Sequence, residues 1–378
     1  MKRHRDPLAL MIDQYGYLGG GQIVLMEVLS ALSNSGIRLK LIAPKGGELE
    51  RQISSRFDGN VEMLDQSPSK LSTSKKTVWD LFRLVFESVA FARKWRAQAK
   101  SATVIYANGP RWFLGAAILS LLSRNPLVLH LHLRFSSAEK VLISLCVLLG
   151  RRPVIVANSD YTAQSAGTFL SIWKRKARVQ VIENCLPENC QALEYRTGGE
   201  DSRGEIECVV VGLLCPEKGQ DIVINALRDV PDVKIHLVGR VGHSREEWVA
   251  RLLKNQPSNI IYHGETNDVP GLIRKEKIYV NIVPSRRESF GLVAIEGMAN
   301  SCITIVSNGE ALPMLAKKTG ALVFDGTEEG LRATFLEMSG HDRERLEQLR
   351  RSQYEKTKSE YSASRFQREL ESLFGSLR

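Results

Sequence analysis

Short apolar runs, rich in β-branched residues, alternate with longer mixed stretches along the whole chain. The first half carries runs at 8–12, 37–43, 103–107, 127–131, 154–157 and 179–182; the second carries them at 208–212, 234–238, 259–263, 278–283 and 303–306. Runs this short, bounded by Gly, Pro or Asn, predict parallel strands buried on both faces. The segments between them are long enough for crossover helices. Strand then helix, repeated, predicts an α/β protein of open, doubly wound, Rossmann-like parallel sheets.

At 378 residues the chain is long enough for two such domains, each with its own core. The polar, Gly-rich stretch 195–205 has no apolar period and reads as a linker. The expected division is an N-terminal Rossmann-like domain at 1–194, the linker at 195–205, a second Rossmann-like domain at 206–345 and C-terminal helices at 346–378 that return to the first domain. The tail from Glu328 onward is helical by composition, with Tyr361, Phe366, Leu370 and Phe374 at roughly helical spacing.

The longest apolar runs, at 113–122 and 141–149, are about half of the roughly 20 residues a membrane-spanning helix needs. The start, residues 1–7, leads into an apolar run too short for a signal-peptide core. A cytoplasmic protein, at most peripheral on the inner face of the membrane, is expected. Its six cysteines form no C-x-x-C pair and have no His at zinc spacing, so reduced thiols and no metal site are expected.

Charge is uneven. Residues 1–190 hold 26 Lys and Arg against 14 Asp and Glu, whereas the remainder is nearly balanced. Such asymmetry points the first domain at something anionic, with solubility alone as the plainer reading. The segment 75–96 sharpens it: Trp79, Phe82, Phe86 and Phe91 sit between clusters of cations, as on an interfacial helix. Packing against its own sheet is the favoured reading of that helix, and an anionic membrane surface the alternative. No nucleic-acid module accompanies the charge.

Three segments carry candidate chemistry. Gly19-Gly-Gly-Gln22 follows the first strand and precedes a helical run at 23–32. Glycines let a backbone turn and approach a ligand, and a helix N-terminus offers N–H groups to an anion, so Gly20 and Gly21 are candidates for holding an anionic ligand. The spacing is not G-x-G-x-x-G, and a structural turn is the alternative. Val209-Val-Val-Gly-Leu-Leu-Cys-Pro-Glu-Lys218-Gly219 reads as strand, tight turn and helix, with Lys218 at a strand's carboxyl end where it can neutralise a phosphate. Pro284-Ser-Arg-Arg-Glu288-Ser-Phe-Gly-Leu-Val-Ala-Ile-Glu296 follows a strand and enters a helix near Phe290 or Gly291. That reading puts Glu296 two turns into the helix and Glu288 in the loop before it. Two carboxylates can then take hydroxyls of neighbouring sugar rings, beside the N–H groups of Phe290, Gly291 and Leu292. His130 and His132 share a strand face; His130 lies deeper and reads as core. His236 and His263 read as structural.

Through these residues the chain resembles the retaining GT-B glycosyltransferases of family 4, which include bacterial polysaccharide and lipopolysaccharide sugar transferases. The resemblance runs through the Gly-rich loop, Val104-Ile-Tyr-Ala-Asn108, His130-Leu-His132, Val156-Ala-Asn-Ser159, residues 212–220 and the paired glutamates. It implies two domains facing across a cleft. It also implies a nucleoside-diphosphate sugar held through its phosphates by Lys218, its ribose by Glu296 and its sugar by Glu288. A glycan or lipid-linked acceptor would bind the first domain, with His132 near the reacting centre. Glu288, His132 and Lys218 are then the catalytic candidates, and neither metal nor other cofactor is expected. Leu213 stands where the family carries Arg; a base such as Arg240 or Arg286 could replace it in space. The rival functions are a sugar-nucleotide epimerase on the same fold and a silent nucleotide-sugar-binding partner.

Overall fold

A computed structural model describes residues 7–69, 78–133, 136–170, 176–197, 204–254, 257–266 and 268–377. The expectations for the extreme N-terminus, for 75–77 and for the middle of the linker lie outside the described residues. The chain divides into two units: Met1–Cys185 with Ala363–Arg378, and Leu186–Ser362.

In the first unit β1 (Leu8–Ile12), β2 (Arg38–Ala43), β3 (Val61–Asp65), β4 (Val104–Ala107), β5 (Pro126–Leu131), β6 (Arg151–Ala157) and β7 (Arg178–Val181) form a parallel sheet. Its order is β3-β2-β1-β4-β5-β6-β7. All of β1 is buried, with Leu10 between Lys40 and Ile105. The order reverses between β1 and β4. Right-handed crossovers therefore place α1 (Gly20–Asn34) and α2 (Glu48–Phe57) on one face of the sheet. The other face receives α3 (Val78–Lys94), α4 (Arg96–Ser101), α5 (Phe113–Ser123), α6 (Ser137–Leu149) and α7 (Asp160–Leu170). Phe91, Trp95, Trp112, Phe113 and Cys146 from these helices pack on Leu10, Ile105 and Leu129 of the strands.

The second unit opens with a short helix, α8 (Glu188–Gln191). Its strands β8 (Ile206–Val211), β9 (Val233–Val238), β10 (Ile260–Tyr262), β11 (Val280–Val283), β12 (Ile303–Ser307) and β13 (Leu322–Phe324) are again all parallel, in the order β10-β9-β8-β11-β12-β13. Between them run α9 (Gln220–Leu227), α10 (Glu246–Leu253), α11 (Val269–Lys275), α12 (Leu292–Ala299) and α13 (Leu312–Thr319). Three more helices close the chain: α14 (Glu328–Ser339), α15 (Arg343–Glu360) and α16 (Ala363–Leu377).

The doubly wound α/β class agrees with the sequence reading; several local expectations do not. The first unit ends at Cys185 instead of residue 194. Leu186 and Cys190 pack with Val283, Phe290 and Ile295, and the Leu186 N–H donates to the Tyr361 carbonyl at 2.9 Å. The beginning of the predicted linker is anchored, not loose. Arg350, fully buried on α15, donates to the Arg196 carbonyl at 2.7 Å and to Glu347 at 2.8 Å while lying against the rings of Tyr195 and Tyr279. Hence α15 stays with the second unit, and the predicted boundary at 345 gives way to one at Ser362. Tyr361 likewise leaves the tail's stripe and packs edge-on against Phe290. Phe366, Leu370 and Phe374 are buried on α16, which lies against α1.

The aromatic helix α3 also departs from its favoured reading. Phe91 is core, but Trp79, Phe82 and Phe86 are 81%, 65% and 75% exposed, so they do not pack on the sheet. All six cysteines are buried thiols.

Candidate functional site

Open parallel sheets bind ligands at strand carboxyl ends where the strand order reverses. In the second unit that point lies between β8 and β11. The loop after β8 makes one tight turn, Pro216–Lys218, and enters α9 through Gly219 at φ 72°. A Cβ on Gly219 would come within 2.2 Å of the Pro284 carbonyl oxygen, so only glycine lets the loops after β8 and β11 touch backbone to backbone. The Arg286 N–H donates to the Glu217 carbonyl at 2.9 Å. From the third loop, the Ala311 N–H donates to the Glu288 carbonyl at 3.0 Å and the Ser307 hydroxyl to that of Ser285 at 2.6 Å.

This stitching brings Lys218 and Glu288 together across 70 residues of sequence, with Nζ donating to Oε2 at 2.6 Å. The two candidates are therefore partners in the free protein. Glu296 lies one turn into α12, not two, because the helix starts at Leu292 with Gly291 as its cap at φ 104°. A Cβ on Gly291 would come within 2.8 Å of Leu312, which keeps the cap a glycine. Phe290 is a core side chain, so only its backbone could face a ligand. No side chain caps α12, and the first-turn N–H groups of such a helix lack intrahelical partners. The Glu296 carboxyl has no hydrogen bond or ion pair among the described residues, and burial pushes its pKa up to about 7. Arg286 does not stand in for the missing arginine at Leu213: it grips Asp221 with two bonds of 2.8 Å and donates to the Pro216 carbonyl.

The first unit's switch point, between β1 and β4, holds a second polar constellation. Asp13 follows β1 directly and is fully buried. It accepts from Asn108 Nδ2 at 2.6 Å, Gln22 Nε2 at 3.0 Å and the Tyr15 N–H at 2.8 Å. Asn108, directly after β4, also donates to the Gly21 carbonyl at 3.0 Å, and its Oδ1 lies 2.8 Å from His132 Nε2. With both amide hydrogens committed, Asn108 accepts from His132, which fixes the proton on Nε2. Burial lowers the His132 pKa to about 4, so the ring is neutral near pH 7. His130 is deeper, against the Tyr106 hydroxyl, as a core residue should be. Gly20 and Gly21 are helical, not turn, residues, and Gly19 caps α1 in an extended conformation. A Cβ on Gly21 would touch the His132 ring at 3.7 Å, so that glycine matters for room beside the imidazole.

Sequence reasoning missed Asp13, although an acid directly after a wholly apolar strand was the available signal. Asn108 closes the segment Val104–Asn108, where its type alone assigns it no role. His236 bonds to Glu207 and His263 at 2.7 Å each, within the β8–β10 side of the second sheet.

Two parallel-sheet units, each with polar loops at its switch point, define a doubly wound α/β architecture. The family profile described as "Glycosyl transferases group 1" matches residues 195–356, and that described as "Glycosyltransferase Family 4" matches 18–188. Together they take in nearly the whole chain, which belongs to the group 1, family 4 glycosyltransferases. An uncharacterized glycosyltransferase of Methanocaldococcus jannaschii is 36% identical over 121 residues, 31% of this chain and 30% of that protein. An uncharacterized 41.2 kDa protein in the cps region of Klebsiella pneumoniae is 26% identical over 185 residues, 47% of this chain and 49% of its own. The matches thus span half or less of these curated relatives. Among solved structures, Anabaena HepE in complex with UDP and glucose superposes with TM-score 0.80 at 17% identity, covering 98% of this chain and 100% of that one. That likeness places the GT-B fold.

Proposed function

We propose that this protein transfers a sugar from a nucleoside-diphosphate sugar to a lipid-linked or oligosaccharide acceptor, with retention of anomeric configuration, in the building of a cell-surface glycan. The observation that carries the reading is the Lys218–Glu288 pair at the switch point of the second sheet, beside the uncapped N-terminus of α12. When a diphosphate leaves the donor, negative charge develops on its bridging oxygen. Lys218 and the first-turn N–H groups of α12 are preorganised positive partners for that charge, and preorganisation of this kind lowers the barrier without a metal. Displaced from Lys218, Glu288 accepts from hydroxyls of the transferring sugar. The partly buried, unpartnered Glu296 carboxyl suits the ribose diol.

In the first unit, His132 stays uncharged and held by Asn108, as a hydrogen-bonding group on the acceptor side. The complex of Anabaena HepE with UDP and glucose supports a uridine nucleotide as the first donor to try. Incubation with UDP-, GDP- and dTDP-sugars, with and without acceptor and with EDTA present, tests the reading. Sugar transfer that survives EDTA supports it. Interconversion of the free sugar nucleotides would make the protein an epimerase, and binding without turnover a silent partner.

A further inference from the structure

The outer helices of the first unit carry an apolar surface that the proposed transfer does not use. On α3, Trp79, Phe82 and Phe86 recur at i, i+3 and i+7 on the solvent side, and Leu81 and Val85 widen the stripe. Two helices along the same face of the sheet, α6 presents Val141, Leu145 and Leu148 outward at i, i+4 and i+7. Between them α5 packs against both and ends in the exposed Leu121 and Leu122. Because all three crossovers lie on one side of the sheet, these apolar side chains look the same way. A surface of that breadth marks an interaction site.

Charge identifies the occupant. Residues 78–149 contain nine Lys and Arg against three Asp and Glu. Two of the acids are already engaged: Glu87 binds Arg83 and Arg111, and Glu139 caps α6. Arg93 continues the stripe one heptad beyond Phe86, and with Arg96 and Lys100 it is exposed and in no ion pair among the described residues. A second copy docking face to face would set this positive surface against itself. No described helix is long and apolar enough to cross a membrane.

We propose that the α3–α5–α6 face seats the first unit on an anionic lipid bilayer, with Trp79, Phe82 and Phe86 entering the headgroup–acyl boundary and Arg93, Arg96 and Lys100 meeting lipid phosphates. Aromatic side chains favour that boundary, and juxtaposed cations make attachment salt-sensitive. This inference is independent of the proposed transfer, since lipid binding requires no turnover.

The full chain is sedimented with phosphatidylcholine vesicles and with vesicles containing phosphatidylglycerol, at low and high salt. Binding to the anionic vesicles that weakens with salt is expected. The triple variant Trp79→Ser, Phe82→Ser, Phe86→Ser should bind about tenfold or more weakly, with an unchanged thermal transition because the three residues are exposed. Arg93→Glu should lower binding at low salt and leave the high-salt remainder. Failure of the wild type to bind at low salt, or undiminished binding by the triple variant, overturns the proposal. So does a stable dimer at sedimentation equilibrium that the triple variant abolishes, which would assign the face to a second copy.

Discussion

Replacing Glu288 by Gln separates binding from turnover at the proposed donor site. Its Oε2 lies 2.6 Å from Lys218 Nζ, and the two side chains are 14% and 28% exposed. In the free protein Glu288 therefore occupies the ammonium group that a diphosphate would claim. A charge-assisted hydrogen bond is worth about 1.5–3 kcal/mol in a dry setting, whereas a fully exposed pair is worth less than about 1 kcal/mol. This pair lies between those limits, so removing the competing charge should release about 1–1.4 kcal/mol to the diphosphate. Titration calorimetry with UDP should then show Glu288→Gln binding about five- to tenfold more tightly than wild type. Turnover should move the other way, with kcat down by one to two orders of magnitude, roughly the worth of a charged bond to the transferring sugar. Lys218→Ala leaves Glu288 unpaired and facing the diphosphate, so kcat/KM should fall by about a hundredfold or more. Glu288→Gln with no gain in UDP affinity would refute the idea that the carboxylate competes for Lys218. Lys218→Ala that binds UDP as tightly as wild type would remove Lys218 from the phosphate site.

Glu296 titrates near pH 7 in the folded protein, above the ordinary carboxyl value of 4.5. The folded state therefore holds the extra proton between those pH values, and stability falls as pH rises through that window. Thermal melts should show the fall in wild type and its loss in Glu296→Gln, while Glu296→Ala should weaken nucleotide binding in calorimetry. Asn108→Ala frees His132 and strips buried Asp13 of its 2.6 Å donor, so Tm should drop by an amount reflecting about 1–3 kcal/mol. Its kcat should fall more than its KM changes, as for a positioning residue; an unchanged kcat would make the network purely structural. Leu213→Arg restores a cation directly after Gly212, beside Lys218, and should tighten UDP binding and slow its release in stopped-flow displacement.

Most of the strands that could be read from sequence are buried on both faces; the edge strands β7 and β10 were legible through their β-branched residues instead. Six- and five-residue runs such as β8 and β12 sit inside a parallel sheet, where every side chain meets a helix layer. The two strands that escaped notice, β3 and β13, are edges. One face of each is wet: Val61-Glu-Met-Leu-Asp65 mixes polar with apolar residues, and Leu322-Val-Phe324, though wholly apolar, spans only three residues. Lys218 and Glu288 were legible as types at strand ends. Their pairing was not, because it depends on Gly219 lying against Pro284 in space.

Alternation of apolar runs and helical segments, the glycines at sharp turns and the acids and lysine at strand ends are local properties. By themselves they determine two doubly wound sheets and the loops that can carry chemistry. Strand order decides which loops meet, and that order comes from long-range packing. It joins Asp13 to Asn108 across 95 residues and Lys218 to Glu288 across 70. Burial decides the rest. The same aromatic spacing that would serve a core helix leaves Trp79, Phe82 and Phe86 in water, because α5 and the sheet beneath α3 are already filled by Phe91 and its neighbours. A helical stripe states only that one face is apolar; whether that face meets a core, a lipid or solvent is settled by what the fold sets against it.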